Sequence, residues 1–274
     1  MKSRWYTQAN VYSGLLLVVL FTLAPFYWMC VSSIRPEATI FSSRLNLLPK
    51  PFTSVNYSLL FIKTEFLRWF FNSCFVSLTS TALALFFSSL AGFAFAKYTF
   101  YGKNVLFTLV LLTLSIPQFV TIIPVFQAMI ALGFIDTYWA LILPYSINPV
   151  AIFFMRQYIN GIPSELLDYA RIDGCSEFQI YWRIILPVIK PAIGATGIII
   201  FLGSWNQYFW PLIMTRSQEM MVVPTGLASL KSEVLVEWGM LMAGSVMSTL
   251  PILVLFLICQ KQFVSGLMAG SIKG

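Results

Sequence analysis

Six windows without a charged side chain divide this sequence: residues 11–34, 69–96, 104–131, 137–155, 191–215 and 238–260. Each reaches the roughly 19–20 residues with which a helix crosses about 30 Å of hydrocarbon. Inside lipid the backbone must satisfy its own polar groups, so stretches of this kind are read as helices. The third window continues without charge to Ile135, and only Asp136 parts it from the fourth. The expectation is an all-α, polytopic membrane protein with six transmembrane helices in one domain over residues 1–274. The rest of the chain agrees, with 58% hydrophobic and 10% charged side chains, against about 25% charged in soluble proteins.

Several classes of chemistry drop out. There is no histidine, which removes His-ligated metal sites and the Ser-His-Asp and Cys-His systems. The formal charge is +7, but the positive residues are scattered, so nucleic acid is not an expected partner. Cys30, Cys74, Cys175 and Cys259 form no CxxC pair, and the three within apolar runs are expected to be buried small residues. The first window is too long for a signal-peptide core and is read as an uncleaved span.

An even number of spans puts both termini on one side. With the termini cytoplasmic, ten Lys/Arg lie inside and seven outside, a weak positive-inside bias. Prolines 25, 117, 124, 144, 149, 211 and 251 fall in the spans, and the carbonyls they free need neighbours or water. Ser88, Gly92 and Ala96 form a small-residue stripe, expected to pack within the chain. Residues 220–230 are apolar but too short to span, and are read as a re-entrant or interfacial piece. No Asp, Glu, Lys or Arg lies in the middle of a span, which argues against proton-coupled transport and intramembrane hydrolysis. No phosphate-binding GxxxxGK[ST] loop exists, so any ATP is bound by another chain.

The segment 156–190 reads as a loop with two short helices. Ser164 is the expected N-cap of the first, with Glu165 and Asp168 in its first turn. Leu166, Tyr169 and Ala170 fall on one face. Asp173-Gly174 stops the helix, with glycine free to turn left-handed. Ser176 and Gln179 form a capping box for a second helix that runs through Ile180 to Ile185.

This segment resembles the EAA loop of ABC importer permeases, whose pattern is E-A-A, three residues, G, nine residues, I-x-L-P. Ala170, Gly174, Ile184, Leu186 and Pro187 match at those spacings, while Asp168 replaces the glutamate and Tyr169 the first alanine. The aspartate keeps the charge with shorter reach; the tyrosine fits less easily into a groove shaped for alanine. Residues 170–174, 205–212 and 266–274 also resemble the carbohydrate-uptake branch, the maltose- and glycerol-phosphate-type permeases. The resemblance covers nearly the whole chain.

The resemblance implies a type I ABC importer permease fold in a bacterial or archaeal inner membrane. It implies four kinds of partner: a second homologous permease, an ATPase dimer, an extracytoplasmic solute-binding protein and membrane lipid. The chain itself is no enzyme and holds no cofactor; MgATP belongs to the ATPase. Residues 164–172 would be the coupling helix, with Glu165, Asp168, Tyr169, Ala170, Asp173, Gly174, Ile184, Leu186 and Pro187 serving ATPase coupling. Gly174→Asp is expected to abolish ATP-driven uptake while leaving the chain inserted.

For the substrate, Ser204, Trp205, Asn206, Gln207 and Tyr208 form a polar-aromatic cluster in the fifth window, with Asn148 and Gln118 as further candidates. Amides and aromatic rings suit sugar hydroxyls and C–H faces. The same groups also serve as interhelical glue or boundary anchors, and the residues alone support both readings equally. A neutral sugar is preferred. A glycerol phosphate or related polyol phosphate, held by helix N-termini, and a self-sufficient secondary carrier are the alternatives.

Overall fold

A computed structural model describes residues 2–41, 48, 50–231 and 236–271 of the chain. Among them the structure is helical, with one isolated antiparallel bridge between Lys231 and Val236. From the N-terminus come α1 (Lys2–Ser33), α2 (Glu37–Ile40), α3 (Val55–Lys63) and α4 (Phe66–Lys97). Then follow α5 (Lys103–Thr113), α6 (Gln118–Ala131), α7 (Tyr138–Ile142), α8 (Pro149–Asn160) and α9 (Ser164–Ile172). The last third holds α10 (Glu177–Ile180), α11 (Leu186–Val188), α12 (Lys190–Trp205), α13 (Phe209–Met214), α14 (Val223–Ser229) and α15 (Trp238–Ser271).

Three helices are long and apolar enough to cross a membrane, at Val11–Ser33, Phe66–Lys97 and Trp238–Gln260. Three bent pairs bring the number to six if each is one crossing. The third and fourth windows are therefore not the continuous helices the sequence suggested, the fifth is interrupted separately at residues 206–208, and a proline stands at each of these breaks. A proline cannot donate to the carbonyl four residues earlier, and its ring crowds that carbonyl. Pro117 acts on Thr113, where α5 ends, and α6 leaves at 101° to it. Pro144 releases the Ala140 carbonyl, which instead accepts the Trp210 indole N–H at 2.9 Å. Residues 143–145 tighten to a 3₁₀ turn, and α8 starts 41° off axis. It then runs to Asn160, past the expected end at residue 155. Pro211 cannot donate to Gln207, so α12 ends at Trp205 and α13 restarts at Phe209. Pro25, Pro124 and Pro251 lie inside continuous helices.

The chain divides into two compact units. The first comprises Met1–Leu67 and Gly226–Leu250. Much of α1 is apolar all round and exposed, with Leu17 and Phe21 68% and 85% accessible, as befits a helix facing lipid. Polar links tie its outer parts together. Both Glu37 carboxylate oxygens accept backbone N–H groups at the start of α15, from Trp238 at 2.9 Å and Gly239 at 2.6 Å. These are donors that a helix N-terminus otherwise leaves unmatched. Asn56 donates to the carbonyls of Ser33 and Arg35 at 2.9 and 2.8 Å.

The second unit comprises Arg68–Thr225 and Pro251–Gly274. The small-residue stripe on α4 packs within the chain, as expected. A Cβ at Gly92 would sit 2.6 Å from Met155 Cβ and 2.9 Å from the Arg156 nitrogen, so only glycine lets α8 approach there. Ser88, fully buried, donates to the Asn148 carbonyl at 3.3 Å. The segment before α14 is stitched to α4. Trp69 and Asn72 donate to backbone carbonyls of residues 218–221, and Ser73 accepts from Val223. The cysteine expectation fails: all four thiols are free, Cys30 is exposed and the others are half-buried. An apolar span offers its side chains to lipid as readily as to protein, so apolar sequence neighbours do not imply burial in the chain.

Candidate functional site

Two arrangements in the second unit gather the residues singled out above. The first is the loop around α9, whose bounds match the expected 164–172 helix. Its cap differs: Pro163 is the N-cap residue and Ser164 already the first helical position, with no side-chain cap bond. The buried face also differs. Leu167 and Ala170 are 1% and 6% exposed, whereas Leu166, Tyr169 and Ile172 stand out at 42%, 68% and 80%. Spaced three apart, these form one apolar ridge on the free side of the helix.

The helix ends in a Schellman turn. Cys175 N–H reaches the Ala170 carbonyl at 2.9 Å, Gly174 N–H reaches the Arg171 carbonyl at 3.0 Å, and Gly174 has φ +80°. No atom lies within 4 Å of a Cβ built at Gly174. The intolerance expected for Gly174→Asp thus has no steric basis in the chain itself; it rests on backbone conformation alone. Asp173 is the exposed C-cap residue. The capping box is present, with Ser176 Oγ accepting from Gln179 N–H and Gln179 Oε1 from Ser176 N–H. The second helix is short, however. Residues 181–185 form a π turn, in which Leu186 N–H bonds the Tyr181 carbonyl. Pro187, unable to bond Arg183, favours this widening. The path then bends by 76° at Ile189 into α12.

Charge pairing holds the loop from outside. Arg171 bonds Asp168 and Glu177, both at 2.8 Å, and Glu177 accepts the Tyr98 hydroxyl beyond the end of α4. Burial and the Glu177 contact push the Tyr98 phenol up to about 12. Lys97 donates to the Ile162 carbonyl and lies within electrostatic reach of Glu165. Inside, Leu167, Ala170, Ile180, Tyr181 and Ile185 share one core with Phe93, Met155 and Ile159. Ile184 and Leu186 pack on its edge, while Pro187 is exposed.

The second arrangement is a cavity of about 230 Å³ walled by residues from α6, α8, α12 and the breaks beside them. It brings together Gln118, Asn148, Ser204 and Gln207, and adds Tyr145 and Thr196, which the sequence reading missed. Thr196, Ile199, Ile200, Gly203, Ser204 and Gln207 recur at helical spacing, the signal that could have extended the cluster back to Thr196. Tyr145 sits in the 3₁₀ turn, and its hydroxyl accepts from Gln118 at 3.5 Å. Asn148 has a second job as the N-cap of α8, its Oδ1 accepting from Ala151 at 3.1 Å. Among the described residues, no Asp, Glu, Lys or Arg lines this cavity.

The other members of the cluster lie elsewhere. Trp205 is 3% exposed, stacked on Phe201 at 5.7 Å and edge-on to Phe70, and it walls only a water-sized void of about 10 Å³. Asn206 is turned to its own helix end, donating to the Leu202 carbonyl at 3.0 Å. Tyr208 is exposed outside the cavity lining.

Residues 84–267 match the family described as the binding-protein-dependent transport system inner membrane component. The arabinooligosaccharides transport system permease protein AraQ of Bacillus subtilis (strain 168) is 44% identical, over 94% of this chain and 93% of AraQ. The lactose transport system permease protein LacG of Rhizobium radiobacter is 34% identical over 96% and 95%. Among solved structures, a bacterial ABC transporter involved in the import of the acidic polysaccharide alginate has a chain of the same fold. The TM-score is 0.85 at 23% identity, covering 96% of this chain and 98% of that one. With its long apolar helices and this match along its length, the chain belongs to the family of binding-protein-dependent transport system inner membrane components, as a membrane-embedded permease subunit and not an enzyme.

Proposed function

We propose that this chain forms half of the translocation pathway of an ABC importer for a neutral oligosaccharide, with α9 as the helix that docks on a separate ATPase. The ridge of Leu166, Tyr169 and Ile172 carries this reading. It is apolar, it projects from a helix fixed by a buried face, a Schellman turn and two ion pairs, and it stands exposed among the described residues. In this reading Tyr169 needs a deeper recess in the ATPase than an alanine would. Glu165, Asp168, Ala170, Asp173, Gly174, Ile184, Leu186 and Pro187 shape or hold the ridge. Asp168 is already paired with Arg171 and so steadies the helix itself.

The second permease, the ATPase dimer that binds MgATP and an extracytoplasmic solute-binding protein complete the assembly, with both termini of this chain cytoplasmic. The oligosaccharide preference rests on the uncharged amides and hydroxyls of the cavity and on the sugars named for AraQ and LacG. A polyol phosphate finds no cationic side chain on that lining. The test is reconstitution in liposomes with the partner permease, the ATPase and the binding protein. ATP-dependent uptake of labelled arabino-oligosaccharide is expected, with loss on Ile172→Asp. Uptake without ATP or without the ATPase would overturn the reading in favour of a self-sufficient carrier.

A further inference from the structure

The loop has a second attachment besides its chain connection to α12. Tyr181 and Ser89 are 2% and 1% exposed, stand 92 residues apart in sequence, and bring their hydroxyl oxygens within 2.7 Å. Ser89 has one hydroxyl proton and directs it to the Phe86 carbonyl at 3.0 Å. Tyr181 is therefore the donor of the pair. Around it the core is apolar, built from Phe93, Met155, Ile159 and Ile185, so no solvent offers an alternative partner.

Tyr181 is also the residue whose carbonyl closes the π turn with Leu186 N–H. Its backbone thus shapes the helical piece that leads to the corner at Ile189, while its hydroxyl holds the C-terminal half of α4. Leu167 and Ala170 of α9 press on the same core. Apolar packing is non-directional and lets surfaces slip; a hydrogen bond buried in that core fixes register.

We propose that the Tyr181–Ser89 hydrogen bond is a coupling contact, which delivers displacement of α9 into α4 so that the second and fifth spans move as one. Both are positioning residues, since neither lines the cavity. The inference rests on α9 being the ATPase-docking helix.

The test uses the assembled transporter in liposomes and reads sugar imported per ATP hydrolysed. Tyr181→Phe removes only the donor and leaves Ser89 bonded to Phe86. Ser89→Ala removes the acceptor. Each is expected to lower the ratio roughly fivefold, about 1 kcal/mol at 1.4 kcal/mol per decade, with ATP hydrolysis retained and the double variant no worse than either single one. A merely structural role would lower complex recovery or its thermal midpoint and leave the ratio at the wild-type value; that result overturns the proposal. Independent, additive losses overturn it too. If wild-type liposomes show no ATP-dependent import, the docking reading falls and this inference with it. If wild type couples and Tyr181→Phe couples equally well, only the contact between α4 and the π turn is refuted.

Discussion

Replacing Gly174 by alanine and by asparagine separates two reasons for a glycine at the end of α9. A Cβ meets nothing within 4 Å, but φ is +80°. The cost within the chain is therefore conformational, roughly 1–2 kcal/mol for an ordinary L-residue in the left-handed region. Asparagine adopts that region far more readily than alanine, although its side chain is larger. At roughly 1–2 kcal/mol, the ratio of properly turned to misturned loop falls about 5–30-fold in Gly174→Ala. Gly174→Asn stays nearer wild type, and Gly174→Asp falls between them because it adds charge beside Asp173, so with no steric clash in the chain its loss is partial where the sequence alone suggested abolition. ATP-dependent uptake by reconstituted transporter, normalised to assembled complex, reads the order. Should alanine match or surpass asparagine, backbone conformation is not what limits position 174, and space against a docked chain becomes the explanation.

Trp210→Phe strips the Ala140 carbonyl of its buried donor and is expected to cost about 1–3 kcal/mol in detergent unfolding. Pro144→Ala in the same chain, by restoring a backbone N–H, should recover part of that loss. Gly92→Ala forces α4 off the backbone of α8 and should destabilise by about 1–3 kcal/mol, whereas Gly203→Ala, with nothing within 4 Å, should not. At Asp136 burial alone would raise the pKa, but the backbone amides of Arg216 and Ser217 and the Arg216 charge hold it below the ordinary aspartate value. A depressed folded value stabilises above the unfolded pKa and is lost as pH falls through the folded one. Exchange protection of the 216 and 217 amides should therefore hold from neutral pH down to about 4 and fade below it.

The helix content, the bounds of α4 and α9, the left-handed Gly174 and the capping box were all legible, because each follows from local rules that lipid or solvent does not override. The breaks were not. Pro25 and Pro251 leave α1 and α15 continuous, while Pro117, Pro144 and Pro211 sit at interruptions. At Pro144 a group 70 residues away, the Trp210 indole, takes up the released Ala140 carbonyl, and no local rule foretells that. The face of α9 was misassigned because Leu166 and Leu167 are equally apolar, and only the packed core decides which one is buried. In the 204–208 cluster adjacency misled: successive residues near a helix end point about 100° apart, so Trp205 packs on Phe201 and Phe70 while Ser204 also reaches the larger cavity.

That difference on α12 has a consequence for how such a subunit can change. Its rear, where Trp205 stacks on Phe201 and meets Phe70 edge-on, is where volume changes are felt in stability. Its front borders open space at Ser204 and Gln207, where one polar group can replace another at less cost to packing than on the rear. Selectivity and foldability are thereby separable traits along a single helix. A lineage can drift from one sugar to the next on one side while the other stays fixed, and a library confined to the front positions should yield folded variants with altered preference.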